Sequence, residues 1–141
     1  MVGHRDADSR IYPKIEKAVN LHIGEYGIEE FIIGHYGNFD RMAAQAVEAA
    51  RETYPKIKLT LLRPYLTHYS LPKGFDGSIY PDGMESVPKR FAILQANYRI
   101  IDRCDYVIAY VRYTFGGAYQ CIDYARRKKK PVFNISRESL S

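Results

Sequence analysis

The sequence predicts an α/β fold, in which a mostly parallel five-stranded sheet carries helices on both faces. Short apolar runs alternate with longer stretches of helical periodicity along the chain, which is typical of parallel strands joined by helices. The 141 residues suit one domain, at roughly 100–200 residues per domain. Because crossovers between parallel strands are right-handed, we expect a single three-layer, doubly wound domain with strand order 3-2-1-4-5.

The first half of the chain supplies three strands and two helices. The predicted elements are a strand at residues 2–4, a helix from residue 8 or 9 to about 26, a strand at 30–34, a helix from 37 to about 54 and a strand at 57–62. The first helix is predicted because apolar residues recur every fourth position from Ile11 to Ile23, which gives one buried stripe, and Gly27 ends it. The second strand is an apolar run that fits burial on both faces.

The second half begins with a long irregular segment, residues 63–87, which is rich in proline, glycine and aromatic residues. A loop of this length in a compact domain is usually functional or contains structure of its own. We interpret it as a partly ordered flap with a short strand near residues 78–80. The remaining predicted elements are a helix from 88 to about 103, a strand at 105–111, a helix from 116 to about 130 and a strand at 131–135.

Composition excludes several classes of protein. With 46% hydrophobic and 26% charged residues, the chain is typical of a globular protein rather than a disordered or collagen-like one. No apolar run approaches the roughly 18 residues of a membrane span, and no signal peptide opens the chain. We therefore expect a cytoplasmic protein without a membrane partner. Cys104 and Cys121 form no CxxC pair, which fits a reducing compartment.

The net charge of +5 comes largely from one basic run, residues 126–130. Cations complement the dipole at a helix C-terminus, so we favour a solvated helix end. The alternative is a nucleic-acid patch. Thirteen tyrosines and no tryptophan suit either a ring-bearing ligand or ordinary half-buried packing.

Three loops leave strands at one edge of the predicted sheet. They are residues 3–6 (GHRD), 34–40 (GHYGNFD) and 113–118 (YTFGGA). In the second and third loops, glycine stands just before a helix, where free N–H groups and the helix dipole favour a phosphate. Ligands of doubly wound folds bind at this edge, at the switch point between the first and fourth strands. The sequence thus predicts a phosphate-bearing ligand there, although neither GxGxxG nor a Walker A motif is present.

Individual residues in these loops allow two interpretations. Arg5 and His4 form either a salt-bridged helix start or an anion contact, in which His4 orients Arg5 or carries a proton. Asp40 either bonds the N-terminus of its helix or holds a ribose hydroxyl. The four histidines lack metal-ligand spacing, so no metal is predicted; they are His4, His22, His35 and His68.

Several blocks together resemble one family. Residues 3–6 resemble the opening GHRD of the YpsA-like branch of the SLOG superfamily, and residues 37–43 resemble its GGFDxxA motif. The further blocks that are similar to it are 54–59 (YPKIKL), 86–93, 102–110 followed by 116–118, and 124–135. The resemblance implies a Rossmann-like fold that binds a nucleotide or a nucleotide-derived ligand. The superfamily also includes lonely-guy phosphoribohydrolases, the DNA-processing protein DprA and sensor domains for nucleotide signals.

The chain departs from the lonely-guy enzymes at two catalytic positions. Their arginine falls on Ala96 here, and their glutamate falls on the shorter Asp123, while Arg99 lies one helical turn from Ala96. Asp123 and Arg99 are therefore the candidate catalytic residues, if there are any. The predicted ligand-binding residues are Gly3, His4, Arg5, Gly34, Gly37, Asn38, Asp40, Arg90, Asn97, Gly116, Gly117 and Ala118.

These observations favour a nucleotide-binding sensor or accessory protein that needs no cofactor. The first alternative is an N-glycosidase, either a phosphoribohydrolase or a deoxyribosyltransferase, in which Asp123 is the acid and Arg5 or Arg99 holds the phosphate. The second is a DNA-associated protein, which the absence of an obvious basic helix face disfavours. The predicted partner is a nucleotide-derived small molecule, and domains of this size often form homo-oligomers.

Overall fold

A computed structural model describes residues 1–66 and 70–137, except for the side chain of residue 137. The helices are α1 (Tyr12–Tyr26), α2 (Asn38–Ala50), α3 (Ala92–Arg103) and α4 (Gly117–Arg127). The strands are β1 (Val2–Gly3), β2 (Glu30–Ile33), β3 (Lys58–Leu62), β4 (Gly77–Ile79), β5 (Val107–Tyr110) and β6 (Val132–Asn134). Turns of 3-10 helix occur at Ser9–Ile11, Met84–Ser86, Lys89–Phe91 and Ile135–Arg137. Within the described ranges, no helix is both long and apolar enough to cross a membrane.

The strands form two parallel sheets of three strands each, so the predicted single five-stranded sheet is wrong. One sheet has the order β1-β5-β6 and the other β2-β3-β4. The division falls between β1 and β2 because β1 has only two residues, both paired with β5. At this division the backbone ammonium of Met1 donates to the carbonyl of Ile32 at 2.8 Å. The α/β class and the parallel pairing are confirmed and are compatible with a Rossmann-like fold.

Helices cover both faces of the strands, as β5 illustrates. Successive side chains of a strand point to opposite faces. Ile108 and Tyr110 join the apolar cluster that contains α1 and α2, whereas Val107 and Ala109 join the cluster that contains α4. A third cluster joins α3 to the end of β3. All four residues of β5 are buried, which explains why this strand is the most apolar run in the sequence.

The predicted helix boundaries hold at some ends and differ at others. Gly27 ends α1 in the left-handed conformation, with φ of 67°, and Asp8 caps the preceding 3-10 turn by accepting from the N–H of Arg10 at 2.8 Å. Helix α2 ends at Ala50 instead of near residue 54, because the carbonyl of Ala50 accepts from Thr53 and Tyr54 in a tight turn. Likewise α4 ends before residue 130, where Lys129 takes a φ of +59°.

The segment 63–87 is partly built into the sheet. Its strand β4 pairs in parallel with β3, close to the predicted short strand at 78–80. Asp76 fixes the start of β4, since its Oδ2 accepts from the backbone N–H of Leu59 at 2.8 Å and pairs with Arg51. Met84 is buried against α3 and the end of β3. Residues 67–69 of this segment lie outside the described residues, and the interpretation of residues 63–87 as a flap stays a prediction.

Candidate functional site

A cavity of about 410 Å³ lies at the carboxyl ends of the parallel strands. Its volume falls within the range of roughly 300–1,000 Å³ that is usual for small-molecule sites. The predicted residues that line it are Gly3, His4, Arg5, Gly34, Asp40, Arg90, Asn97, Gly117 and Ala118. The three that do not are Gly37, Asn38 and Gly116. The fold thus brings the three predicted loops to one place, together with the first turn of α3.

The N-terminus of α4 is open toward this cavity. Gly116 is its N-cap, with φ of 92°, and no side chain caps the helix. A Cβ placed on Gly116 or Gly117 would meet nothing within 4 Å. Since the first N–H groups of a helix have no partner within the helix, Gly117 and Ala118 present unpaired donors and a partial positive charge to the cavity wall.

The N-terminus of α2, by contrast, is closed by the protein itself. The N–H of Asn38 donates to the carbonyl of Arg5 at 2.8 Å, and its side-chain Nδ2 donates to the carbonyl of Ala7 at 3.3 Å. A Cβ on Gly37 would lie 2.5 Å from the Cα of Arg5. Gly37 and Asn38 therefore hold the first loop against α2, away from the cavity wall.

Two other predicted glycines are required by packing. A Cβ on Gly3 would lie 2.2 Å from Cγ of Phe39, a ring that is 1% exposed. A Cβ on Gly34 would lie 3.0 Å from Oδ2 of Asp40. These glycines shape the cavity wall by letting α2 approach the ends of β1 and β2.

Asp40 is the one carboxyl group among the residues that line the cavity. Its Oδ2 accepts from the backbone N–H of Tyr36 at 3.0 Å, so it secures the loop before α2. Tyr36 precedes the N-cap Gly37, so this is not the predicted bond to the helix N-terminus. Burial raises the pKa of Asp40, and this outweighs the Tyr36 hydrogen bond and the nearby cations, Arg5 among them, which lower it. No buried side-chain oxygen of the described residues lacks a partner, and no bond to Oδ1 of Asp40 occurs; this oxygen is therefore accessible from the cavity.

His4 connects two of the loops. Its Nε2 accepts from the backbone N–H of Arg112 at 2.8 Å, which requires an unprotonated Nε2. Burial lowers the pKa of His4, and the charge of Arg112 adds to this, while Asp6 opposes it. His4 thus links the loop after β1 to the loop before α4, and its part in an anion contact stays a prediction.

Two cations, Arg5 and Arg90, line the cavity. Arg5 places its guanidinium 5.9 Å from the ring centre of Tyr36, and Arg90 lies 4.8 Å from that of Phe91. Tyr65, in the stretch after β3, contacts Tyr36 and the ammonium of Lys89. Positive charge and aromatic rings are therefore combined on this side of the site, which suits a phosphate joined to a planar group.

Neither candidate catalytic residue reaches the cavity. Asp123 pairs with Arg127 at 3.4 Å on the exposed side of α4. The Nε of Arg99 donates to the carbonyl of Asp82 at 3.0 Å, and its Nη1 donates to the side chain of Gln95 at 2.9 Å. Ala96, by contrast, does line the cavity. The position compared above with the arginine of the lonely-guy enzymes thus lines the cavity, but it carries only a methyl group.

Sequence reasoning missed the apolar half of the wall and one thiol. The missed lining residues include Leu62, Pro64, Ile93, Leu94 and Cys121. Helical periodicity placed Leu94 on a buried face, but it gave no signal that this face borders a cavity. Burial raises the pKa of Cys121 to about 12, so this thiol is not a nucleophile at neutral pH.

The contacts of the basic run, residues 126–130, are those of a helix end. Arg127 pairs with Asp123, and Lys128 lies 3.9 Å from Asp102. The ammonium of Lys130 donates to the carbonyl of Asp102 at 3.3 Å. These contacts lie at the C-terminal end of α4, whereas the cavity lies at its N-terminal end. Within the described ranges, no group of histidine, cysteine or acidic residues is placed to hold a metal ion.

Comparison with known proteins adds no family to this description. No family model matches the chain, and none of the curated proteins gives a significant match.

Proposed function

We propose that this protein binds a nucleotide or nucleotide-derived ligand in the cavity at the carboxyl ends of its strands, as a sensor or accessory protein. The observation that carries the proposal is the open N-terminus of α4, where Gly117 and Ala118 line the cavity and no side chain caps the helix. Backbone N–H groups in this arrangement bind phosphate. The proposal also takes the chain as a YpsA-like member of the SLOG superfamily, on the motifs quoted above.

The remaining wall supports a ligand with more than a phosphate. Asp40 offers an accessible oxygen to a hydrogen-bond donor such as a ribose hydroxyl, which is the second interpretation given above for this residue. Leu62, Ile93 and Leu94 supply apolar surface, and Arg5 and Arg90 supply positive charge. A sugar phosphate would use the charged groups, Asp40 and the neighbouring apolar surface, whereas inorganic phosphate would use only the charged groups.

The same wall argues against N-glycosidase chemistry. Such an enzyme needs an acid near the departing base and a firm hold on the phosphate. Asp123 and Arg99 are engaged elsewhere on the protein surface. Asp40 remains as the sole lining carboxyl group, and it is committed to Tyr36 through one oxygen.

A charge introduced at Gly117 tests the proposal. Gly117 has space around it and no left-handed φ, so Gly117→Asp and its neutral isostere Gly117→Asn should both fold normally. We expect Gly117→Asp to weaken binding of ribose 5-phosphate and nucleoside monophosphates at least about tenfold through like-charge repulsion. Gly117→Asn should retain most of the affinity. Isothermal titration measures both variants, and equal affinities for the two would refute a phosphate at this helix end.

A further inference from the structure

We infer that the stacked rings of Tyr113 and Phe115 form a platform for the base of the bound nucleotide, on the outer side of the phosphate position. The inference rests on the proposed function and extends it, because it assigns a second binding surface outside the cavity wall. The two rings are 5.2 Å apart with an angle of 17° between their planes. They immediately precede Gly116 and Gly117, where the phosphate is proposed to bind.

The platform is continuous with the cavity. The ring of His4, which lines the cavity, lies 4.9 Å from the ring of Tyr113. The planes of these two rings are 40° apart, so His4 is in tilted contact with the Tyr113–Phe115 pair and joins it to the cavity wall. Arg112 adds a guanidinium 5.8 Å from the ring of Tyr113. Because Phe115 directly precedes Gly116, a phosphate bound at the N-terminus of α4 leaves its attached base next to this pair.

The Tyr113–Phe115 pair is uncovered. Phe115 is 69% exposed and Tyr113 is 39% exposed. A single exposed apolar side chain needs no explanation, but two stacked rings next in the chain to Gly117, which lines the cavity, offer ring surface to a ligand. Every base has a π face, and base stacking on aromatic side chains is favourable and largely independent of sequence.

The loop that carries the platform is anchored at its start. The N–H of Arg112 donates to His4, as described, and the carbonyl of Val111 accepts from Asn134 at 3.0 Å and from the hydroxyl of Ser136 at 2.6 Å. The N–H of Val111 donates to Oδ1 of Asn134 at 3.1 Å. These bonds hold the backbone at the start of the loop, next to Tyr113, which reduces the entropic cost of ordering the loop when a ligand binds.

The experiment compares Phe115→Leu with Tyr26→Leu. Tyr26 is 47% exposed and stacks on Tyr106 at 4.8 Å and 10°, so it is a stacked ring at the opposite edge of the strands, partly exposed though less so than Phe115. Affinities are measured for AMP, GMP, CMP and UMP by isothermal titration, and for ribose 5-phosphate by competition. We expect Phe115→Leu to bind the nucleotides that the wild type binds best with about tenfold lower affinity. The affinity of Phe115→Leu for ribose 5-phosphate should stay within about twofold of the wild-type value. Tyr26→Leu should change neither the nucleotide affinities nor the ribose 5-phosphate affinity.

The outcomes separate the inference from the proposed function. If Phe115→Leu leaves nucleotide affinity unchanged, or weakens ribose 5-phosphate equally, the platform is wrong while the phosphate site stands. If no nucleotide binds the wild type more tightly than ribose 5-phosphate, the platform is also wrong. If the wild type binds neither kind of ligand, the proposed function fails and the inference falls with it.

Discussion

Replacing Gly3 with alanine tests whether this residue serves packing or the ligand. The added Cβ would lie 2.2 Å from Cγ of Phe39, and ordinary contact begins near 3.4 Å, so the ring must move by about 1.2 Å. Phe39 is 1% exposed and lies in the first turn of α2, so its ring cannot move into solvent. Overpacking of this kind costs about 1–3 kcal/mol. We expect Gly3→Ala to lower the free energy of unfolding by that amount.

Urea denaturation followed by circular dichroism measures the effect, and Gly77→Ala is the matched control. Gly77 also lies in a strand, but a Cβ there would meet nothing within 4 Å. A second variant, Phe39→Leu in the Gly3→Ala background, should recover part of the loss, because the two sites are in contact and their effects are not additive. Surface substitutions typically change the free energy of unfolding by no more than about 0.5 kcal/mol. If the value for Gly3→Ala lies that close to the wild-type value, the packing argument is refuted.

Two further predictions concern the carboxyl groups. Because burial raises the pKa of Asp40, its ionised form opposes folding, and the contribution of Asp40 to stability falls as the pH rises from 3.8 through the raised pKa. Asp40→Asn should therefore unfold at a higher urea concentration than wild type at pH 7, and this difference should disappear near pH 3. Stability equal to or below that of wild type at pH 7 would contradict the burial argument. Nucleoside monophosphates, ribo and deoxy, should release no base above the no-protein control. Release that disappears in Asp123→Asn would establish the N-glycosidase alternative instead.

The fold class could be predicted because it depends on local patterns. The apolar run of β5 and the four-residue periodicity of α1 each identify an element without reference to the rest of the chain. The number of sheets could not be predicted in this way. It depends on how far β1 extends beside β2 and on whether Gly77–Ile79 pairs with β3. The local sequence pattern predicts neither of these pairings.

The candidate site could be predicted to the level of its loops. Parallel strands bring their carboxyl ends to one edge, so any loop that follows a strand of the sheet borders the same region. The contribution of α3 was harder to predict. The apolar side chains of Ile93 and Leu94 gave no signal of a ligand, and their place in the cavity wall depends on how α3 packs. Arg127 follows Asp123 by four residues, so their pairing could be predicted from helix spacing. The bond from Arg99 to the backbone carbonyl of Asp82 could not, because it depends on how the two segments meet in the fold.

The two glycine-led helices illustrate why similar sequences can differ in function. Gly37 and Gly116 both take left-handed φ values, and neither helix has a side-chain cap. At Gly37 the chain after β1 passes so close that the carbonyl of Arg5 takes the N–H of Asn38. No described segment approaches Gly116 in this way, so its helix keeps donors for a ligand. The short connection from β1 to α1 therefore decides which of the two helix ends is available to a phosphate.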